Sequence, residues 1–249
     1  MQGNENIIFE PPDELIERLR NEAIKKVAPN MLPNDDANWQ QRKSAQTRTL
    51  LLNATMECLA EYGYSDTTTQ LVTKTAKVSR GAMLHHFSTK QHLIEHVIEY
   101  TFYRRIMAFY NDILPLSQQE NINEFTGIEL YWQGINRTEY AAYQELAMAS
   151  RTDVELRKIF EPQDVTYQKI WEDQLPFLYP GWVGKLDEFQ LARDLIESSM
   201  LGLLTNFHLI QPRSRRTRFR KLVAIIVGQL MRGELTSPEV TKAEIAKTD

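Results

Sequence analysis

Residues 43–98 read KSAQTRTLLLNATMECLAEYGYSDTTTQLVTKTAKVSRGAMLHHFSTKQHLIEHVI, and their punctuation decides the fold. In 43–62 Leu50, Leu51, Ala54, Cys58 and Leu59 recur at three- and four-residue spacing, the mark of an amphipathic helix. Gly63 follows, a residue suited to the positive-φ position that ends a helix. Thr67 and Gln70 have the spacing of a capping box and predict a short helix over 68–75, with Leu71, Val72 and Ala76 inward. After a turn at 77–78, Ser79 is a good N-cap for a helix over 80–86. Ser88 and Gln91 repeat the capping pattern and open a longer helix.

Two short helices joined by a turn of about three or four residues form a helix-turn-helix, whose second helix is sized for a DNA major groove. Gly81 and Ala82 stand at the start of that helix and would let its backbone approach DNA closely. Lys90 lies in the first turn of the next helix, where a cation opposes the helix dipole. A phosphate there would pair with the ammonium and the free amides together. The plainer reading of Lys90 is a solvated lysine, and by itself the residue does not separate the two.

This stretch resembles the TetR family, the tetracycline-repressor-like bacterial regulators, over roughly residues 46–94. The resemblance is carried by Gly63-Tyr64, Thr67-Thr68, Val72 with Ala76, Val78-Ser79, Gly81-Ala82, and His86-Phe87 with Lys90. It implies that Arg80, Gly81, Ala82, Leu84 and His85 face the groove, and that Thr69, His86 and Lys90 position phosphates. It also implies that Phe87 locks the helix end into the domain core. Two residues depart from the pattern. Lys77 stands at a turn position where the family usually has Gly, so either a strained backbone is tolerated or the turn differs. Leu84 replaces the usual Tyr, which removes a hydroxyl or exchanges it for an apolar contact to a thymine methyl.

The net charge of −4 conceals an asymmetry. Residues 41–90 hold seven Lys or Arg against three acids, a net of +4, which leaves −8 for the remainder. A small basic reader on an acidic body suits a DNA-binding protein, because positive charge is needed only where phosphates approach. An apolar content of 42% supports a real core, and no run is long and apolar enough for a membrane span. The acidic start is no signal peptide, so the expected location is cytoplasmic. The single cysteine, Cys58, rules out an internal disulfide and a cysteine-built zinc site, and is expected to be core packing.

The expected fold is all-α: an N-terminal three-helix helix-turn-helix DNA-binding domain and a C-terminal helical ligand-binding and dimerisation domain. Residues 1–42 read as an extension, with an amphipathic helix over 13–27 lined by Leu15, Leu19, Ala23 and Val27, then a linker over 29–40. This extension packs on its own domain, is partly disordered, or docks across the body or a partner subunit. Arg42, Lys43 and Arg48 can add phosphate contacts beside the reader. The DNA-binding domain is 43–90, the ligand-binding and dimerisation domain 91–235, and the polar tail 236–249. Within the body, helices are predicted over 89–111, 124–135, 139–150, 153–160, 165–174, 187–209 and 217–231. Pro162 is expected to kink or interrupt one of them, 115–123 to form a turn, 175–182 an aromatic loop and 212–216 a basic loop.

The apolar surplus of the last two helices fits a two-fold interface through Leu191, Leu195, Gly202, Leu222, Ile226 and Leu230, which is also how TetR-like proteins pair. Arg220 and Lys221 are candidates to pair with acids across it. Pocket candidates in the body are Phe102, Ile106, Tyr110, Trp132, Tyr143, Met148, Trp171, Phe177, Met200 and Phe207, though each is equally a core residue. They suggest an apolar or aromatic small-molecule effector, with Glu129, Glu145 or Arg151 to meet a polar end. His92 and His96 have metal-ligand spacing, but no well-placed third ligand completes a set, so neither metal nor cofactor is expected. No nucleophile elbow, glycine-rich phosphate loop or zinc-protease motif points to an enzyme. The expected function is a ligand-responsive dimeric regulator, in the family's usual mode a repressor, that reads pseudopalindromic double-stranded operator DNA through residues 79–86. The alternative is an all-helical interaction module derived from such a regulator, with DNA binding altered or lost.

Overall fold

The computed structural model describes residues 12–29, 38–114 and 124–236, which are mostly helical, with no strand among them. The predicted turn at 115–123, most of the linker (30–37) and most of the tail (237–249) lie outside the described residues. The helices are α1 (Pro12–Val27), α2 (Trp39–Asp66), α3 (Thr69–Ala76), α4 (Arg80–His86), α5 (Lys90–Ile113), α6 (Glu124–Ile135), α7 (Thr138–Ser150), α8 (Val154–Leu178), α9 (Leu186–Thr205) and α10 (Arg213–Arg232). They fall into two compact units, residues 1–120 with 134–171, and residues 121–133 with 172–249.

In the first unit α2 packs against α3, α5 and α7. It begins earlier than expected, because Asn38 makes a reciprocal capping box with Gln41 at 2.8 and 2.9 Å. Leu51, Leu52, Ala54, Cys58 and Leu59 of α2 are buried, whereas Leu50, expected inward, is exposed and Leu52 takes its place. Gly63 breaks the helical geometry with φ 79° and ψ 173°, a conformation only glycine adopts without strain. A Cβ there would also stand 3.1 Å from a Glu145 carboxylate oxygen of α7, a tight contact that this flexible side chain relieves by a small shift.

The helix starts shift by one residue from two predicted caps. Thr68, not Thr67, caps α3 by accepting from the Leu71 amide, while the Thr67 hydroxyl donates back to the Gly63 carbonyl at 2.7 Å. Thr89, not Ser88, caps α5 through the His92 amide. In each Thr/Ser run several hydroxyls have the right spacing, and the backbone path decides which one reaches the free amides. Met83, Phe87, Val72, Leu93 and Val97 form the core beneath the short helices.

The N-terminal extension packs on its own chain: α1 lies against α5, burying Ile16, Leu19, Ala23 and Val27. Leu15, expected inward, is only half-buried, and Ile16 replaces it. Burying Ile16, Leu19 and Val27 contributes roughly 1.5–3 kcal/mol each before the cost of ordering the helix. The first part of α8 belongs to this unit. Pro162 does not interrupt it, and α8 runs unbroken from Val154 to Leu178; a proline forfeits one backbone bond, which a long packed helix can absorb.

The second unit pairs α9 with α10 and closes around Ile128 of α6, Leu175, Trp182, Phe189, Met200, Leu203, Val223 and Val227. The predicted aromatic loop is instead the end of α8 followed by a short 3-10 turn, Pro180–Trp182. The predicted basic loop is instead the first turn of α10, which starts at Arg213, and Gly233 ends that helix with φ 74°. Arg216 is buried and donates to the Phe207 carbonyl at 2.6 Å. Arg220 forks onto Glu129 of its own unit, its second nitrogen at 3.3 Å, so each of the two already has a partner within the chain.

Candidate nucleic-acid interface

The α3–α4 pair is built by local rules. Ser79 accepts from the Ala82 amide at 3.1 Å, which sets the start of α4. Lys77 adopts φ 53° and ψ 39°, so the turn keeps the left-handed geometry that a glycine would provide, with lysine bearing the strain. Because α4 has only seven residues, the burial of Met83 and the closing Phe87 fixes its rotation. The opposite side presents Arg80, Gly81, Leu84 and His85 to solvent, with Leu84 46% exposed. Ala82 and His86 are half-buried at its edges.

Gly81 has a regular helical conformation, and a Cβ added there would meet nothing within 4 Å. The fold itself therefore has no need of glycine at this position.

Arg48 of α2 sits close enough to His86 to act on its titration: burial pushes the imidazole below its ordinary value, and the Arg48 charge and then His85 add to the effect. Arg42 and Lys43 are exposed in the first turns of α2, with the Lys43 ammonium 5.2 Å from the Trp39 ring centre. Thr69 is the first residue of α3 and half-buried. Lys90 is the first residue of α5, and its ammonium lies 5.2 Å from the centre of the Tyr64 ring. The Tyr64 hydroxyl in turn reaches Asp153 at 3.4 Å, and burial, then the Asp153 charge, raises its pKa. Sequence reasoning missed Trp39, which it placed in the linker, and the role of Tyr64 as a seat for Lys90. A lysine and an aromatic 26 positions apart leave no local signal.

The predicted pocket residues separate. Phe102, Ile106, Tyr110, Tyr143 and Trp171 gather in the first unit with Phe160 and Tyr167. Phe102, Ile106 and Tyr110 are fully buried there. Trp132, Phe177, Met200 and Phe207 belong to the second unit, where Met200 is core, Trp132 stacks with Arg220, and Phe177 and Phe207 are exposed. Met148 is exposed. Sequence reasoning also missed Arg105, a buried arginine lying flat among these aromatics, 3.7 Å from the Tyr143 ring centre and 4.4 Å from that of Tyr167. The Arg104-Arg105 pair within the apolar run of α5 was the available sign. His92 and His96 meet edge to face at 4.5 Å beside Phe87, and His96 Nδ1 donates to the His92 carbonyl at 2.7 Å. The described residues hold no group of three or more His, Cys, Asp or Glu placed to bind a metal.

Along α9 and α10, Leu191 and Leu222 are exposed, and Leu195, Gly202 and Ile226 half-buried. Leu230, expected to face a partner, is 7% exposed and lies in the core of its own unit, while Ile225, which was not expected there, is 57% exposed.

Comparison with known proteins bears on this arrangement. Residues 51–97 match the model of the bacterial regulatory proteins, tetR family. No curated protein matches the chain. Three solved structures share its fold. A transcriptional regulator from Rhodococcus sp. Rha1 is 18% identical, with a TM-score of 0.54, over 76% of this chain and 99% of that one. A protein described as a TetR-family transcriptional regulator from Rhodococcus sp. is 14% identical, with a TM-score of 0.52, over 73% and 99%. The multidrug binding protein EbrR complexed with imidazole is 15% identical, with a TM-score of 0.50, over 80% and 95%. At these identities the likeness concerns the fold, and the sequence match concerns the reader. The segment 51–97 thus matches the tetR family of bacterial regulatory proteins, and the all-helical fold of the chain is shared with solved transcriptional regulators.

Proposed function

We propose that the protein is a homodimeric, ligand-responsive repressor, cytoplasmic in location, that binds a pseudopalindromic operator through residues 79–86. The observation that carries this reading is the outer face of α4. Arg80, Gly81, Leu84 and His85 stand open on a helix whose other side is locked by Met83 and Phe87, with Arg48 near His86 at its edge. Arg80 suits a guanine edge, Leu84 a thymine methyl, and Lys90, Thr69, Arg42 and Lys43 the phosphates.

One α4 covers only a few base pairs, so tight binding calls for two readers about one helical turn, or a multiple of it, apart. The exposed apolar side chains of Leu191, Leu222 and Ile225 on α9 and α10 support a second copy as the partner. The aromatic cluster around Phe102 and Tyr143 supports an apolar or aromatic effector, as does the fold likeness to a protein that binds drugs. Its action requires only that it favour one arrangement of the readers over another. The segment 43–90 serves as reader and 91–235 as effector and dimer body. No helix among the described residues is long and apolar enough to cross a membrane.

The test is selection of bound duplexes from a random DNA pool by the full chain, followed by affinity against salt. A two-fold site bound with a steep salt dependence is expected. Recovery of no common site, or binding indifferent to salt, would overturn the proposal.

A further inference from the structure

A cleft of about 320 Å³ opens at the N-terminal end of α5, where the last turn of α2 meets the first turn of α8. Ile94 and Leu156 give it an apolar floor, and Tyr64, Lys90, Asp153 and Glu155 form its walls. All belong to the first compact unit. The volume is at the lower end of the range of about 300–1,000 Å³ usual for small-molecule sites.

The lining has a definite chemistry. An aromatic face and two carboxylates surround an apolar floor, a combination that recognises an organic cation: the ring attracts the charge, the carboxylates pair with it, and the floor takes its hydrocarbon part. The protein already places a cation there, for the Lys90 ammonium lies 5.2 Å from the Tyr64 ring centre. Asp153 divides its two oxygens, one accepting the Leu156 amide at 3.0 Å and the other the Tyr64 hydroxyl at 3.4 Å. Its carboxylate therefore holds the ring in place as well as supplying charge. Glu155 pairs at 2.7 Å with Lys158, but both side chains are well exposed and such a pair is weak, so a ligand cation can compete for it.

We propose that this cleft is a binding site for a small organic cation, separate from the aromatic cluster of the body, and that Lys90 is its built-in competitor. The consequence for DNA rests on the reading of Lys90 as a phosphate contact. When Lys90 leaves the Tyr64 ring for a backbone phosphate, the cleft is vacated. A cation then binds the operator-bound form better than the free form, and by linkage it tightens operator binding by the same factor. The site thus works as a co-repressor site, opposite in sign to an effector that releases DNA.

The test is calorimetric titration of the DNA-free full chain with benzyltrimethylammonium chloride. Lys90→Ala removes the competitor and is expected to tighten probe binding about two- to five-fold, the worth of one exposed cation–π contact. The double change Asp153→Asn and Glu155→Gln should abolish binding; asparagine keeps the oxygen that caps α8, so the helix start is preserved. Equal affinity in wild type and Lys90→Ala overturns the competition, and no binding by the wild type or by Lys90→Ala, or undiminished binding by the double variant, overturns the site. In a second arm, operator affinity with the probe is compared with that in sodium chloride at equal ionic strength, and a gain of about two- to five-fold is expected. Operator binding that ignores the probe overturns the coupling. Absence of operator binding altogether overturns the DNA reading and leaves the calorimetric result to decide the site.

Discussion

Replacing Gly81 with alanine separates the requirements of the fold from those of DNA. The added methyl meets no atom within 4 Å and the backbone at this position is helical, so nothing within the chain opposes the change. Alanine in place of glycine in a helix stabilises by roughly 0.5–1 kcal/mol, mainly by reducing the freedom of the unfolded chain. For a chain of this size that raises Tm by about 1–4 °C. On DNA the sign reverses. Gly81 lies on the open face between Arg80 and Leu84, and a methyl inserted into a closely packed contact costs about 1–3 kcal/mol. Operator affinity should therefore fall by about 5- to 150-fold. Calorimetric melting and fluorescence anisotropy on the selected operator measure the two effects on the same preparation. If Tm drops, the fold needs this glycine and the reasoning from open space is wrong. If Tm rises and affinity is unchanged, the start of α4 does not approach DNA closely and the proposed docking face is wrong.

Three further outcomes are expected. The left-handed conformation of Lys77 costs a non-glycine residue about 1–2 kcal/mol, and glycine's extra unfolded freedom offsets about 0.4–1 of it, so Lys77→Gly should stabilise by roughly 0.5–1 kcal/mol. A urea midpoint that moves down would show that the lysine side chain, not the backbone, governs this turn. Leu222 is 53% exposed, and burying the rest of it in both copies of a two-fold interface contributes roughly 2 kcal/mol, so Leu222→Glu should weaken dimerisation at least about 30-fold by sedimentation equilibrium; an unchanged dimer constant would place the interface elsewhere. His86 titrates below its ordinary value because of burial first and Arg48 second, so folding favours its neutral form. Its contribution is intact above the ordinary imidazole range and is lost as pH falls through that range to the lower folded value. Melting from about pH 7.5 to about pH 5.5 should therefore show a loss of Tm that is smaller in His86→Gln, and parallel profiles would contradict the assignment.

Much of this protein is determined locally, and for that reason can be read from sequence. A helix start needs a hydroxyl or amide within three residues of its target, and a short amphipathic helix shows its buried side by spacing alone. Thus α3, α4 and the Ser79 cap follow from residues that are neighbours in the chain, whereas the outward set Arg80, Gly81, Leu84 and His85 and the inward Phe87 were implied by the family resemblance, and the burial of Met83 was not foreseen. Where several hydroxyls adjoin, as at Thr67-Thr68 and Ser88-Thr89, the cap shifts by one residue, because the choice depends on the path of the backbone.

What only the tertiary structure decided involves partners far apart in sequence. The stacking of Lys90 on Tyr64, the tie from Tyr64 to Asp153, the Arg105 box of Tyr143 and Tyr167, and the Arg220 fork onto Glu129 join residues 26 to 91 positions apart. A charge buried on folding must find a counter-charge or an aromatic face, but sequence spacing does not say which. The reader could therefore be recognised from 43–98 alone, whereas the seat of Lys90, and the cleft around it, exist only once α2, α5 and α8 are packed together.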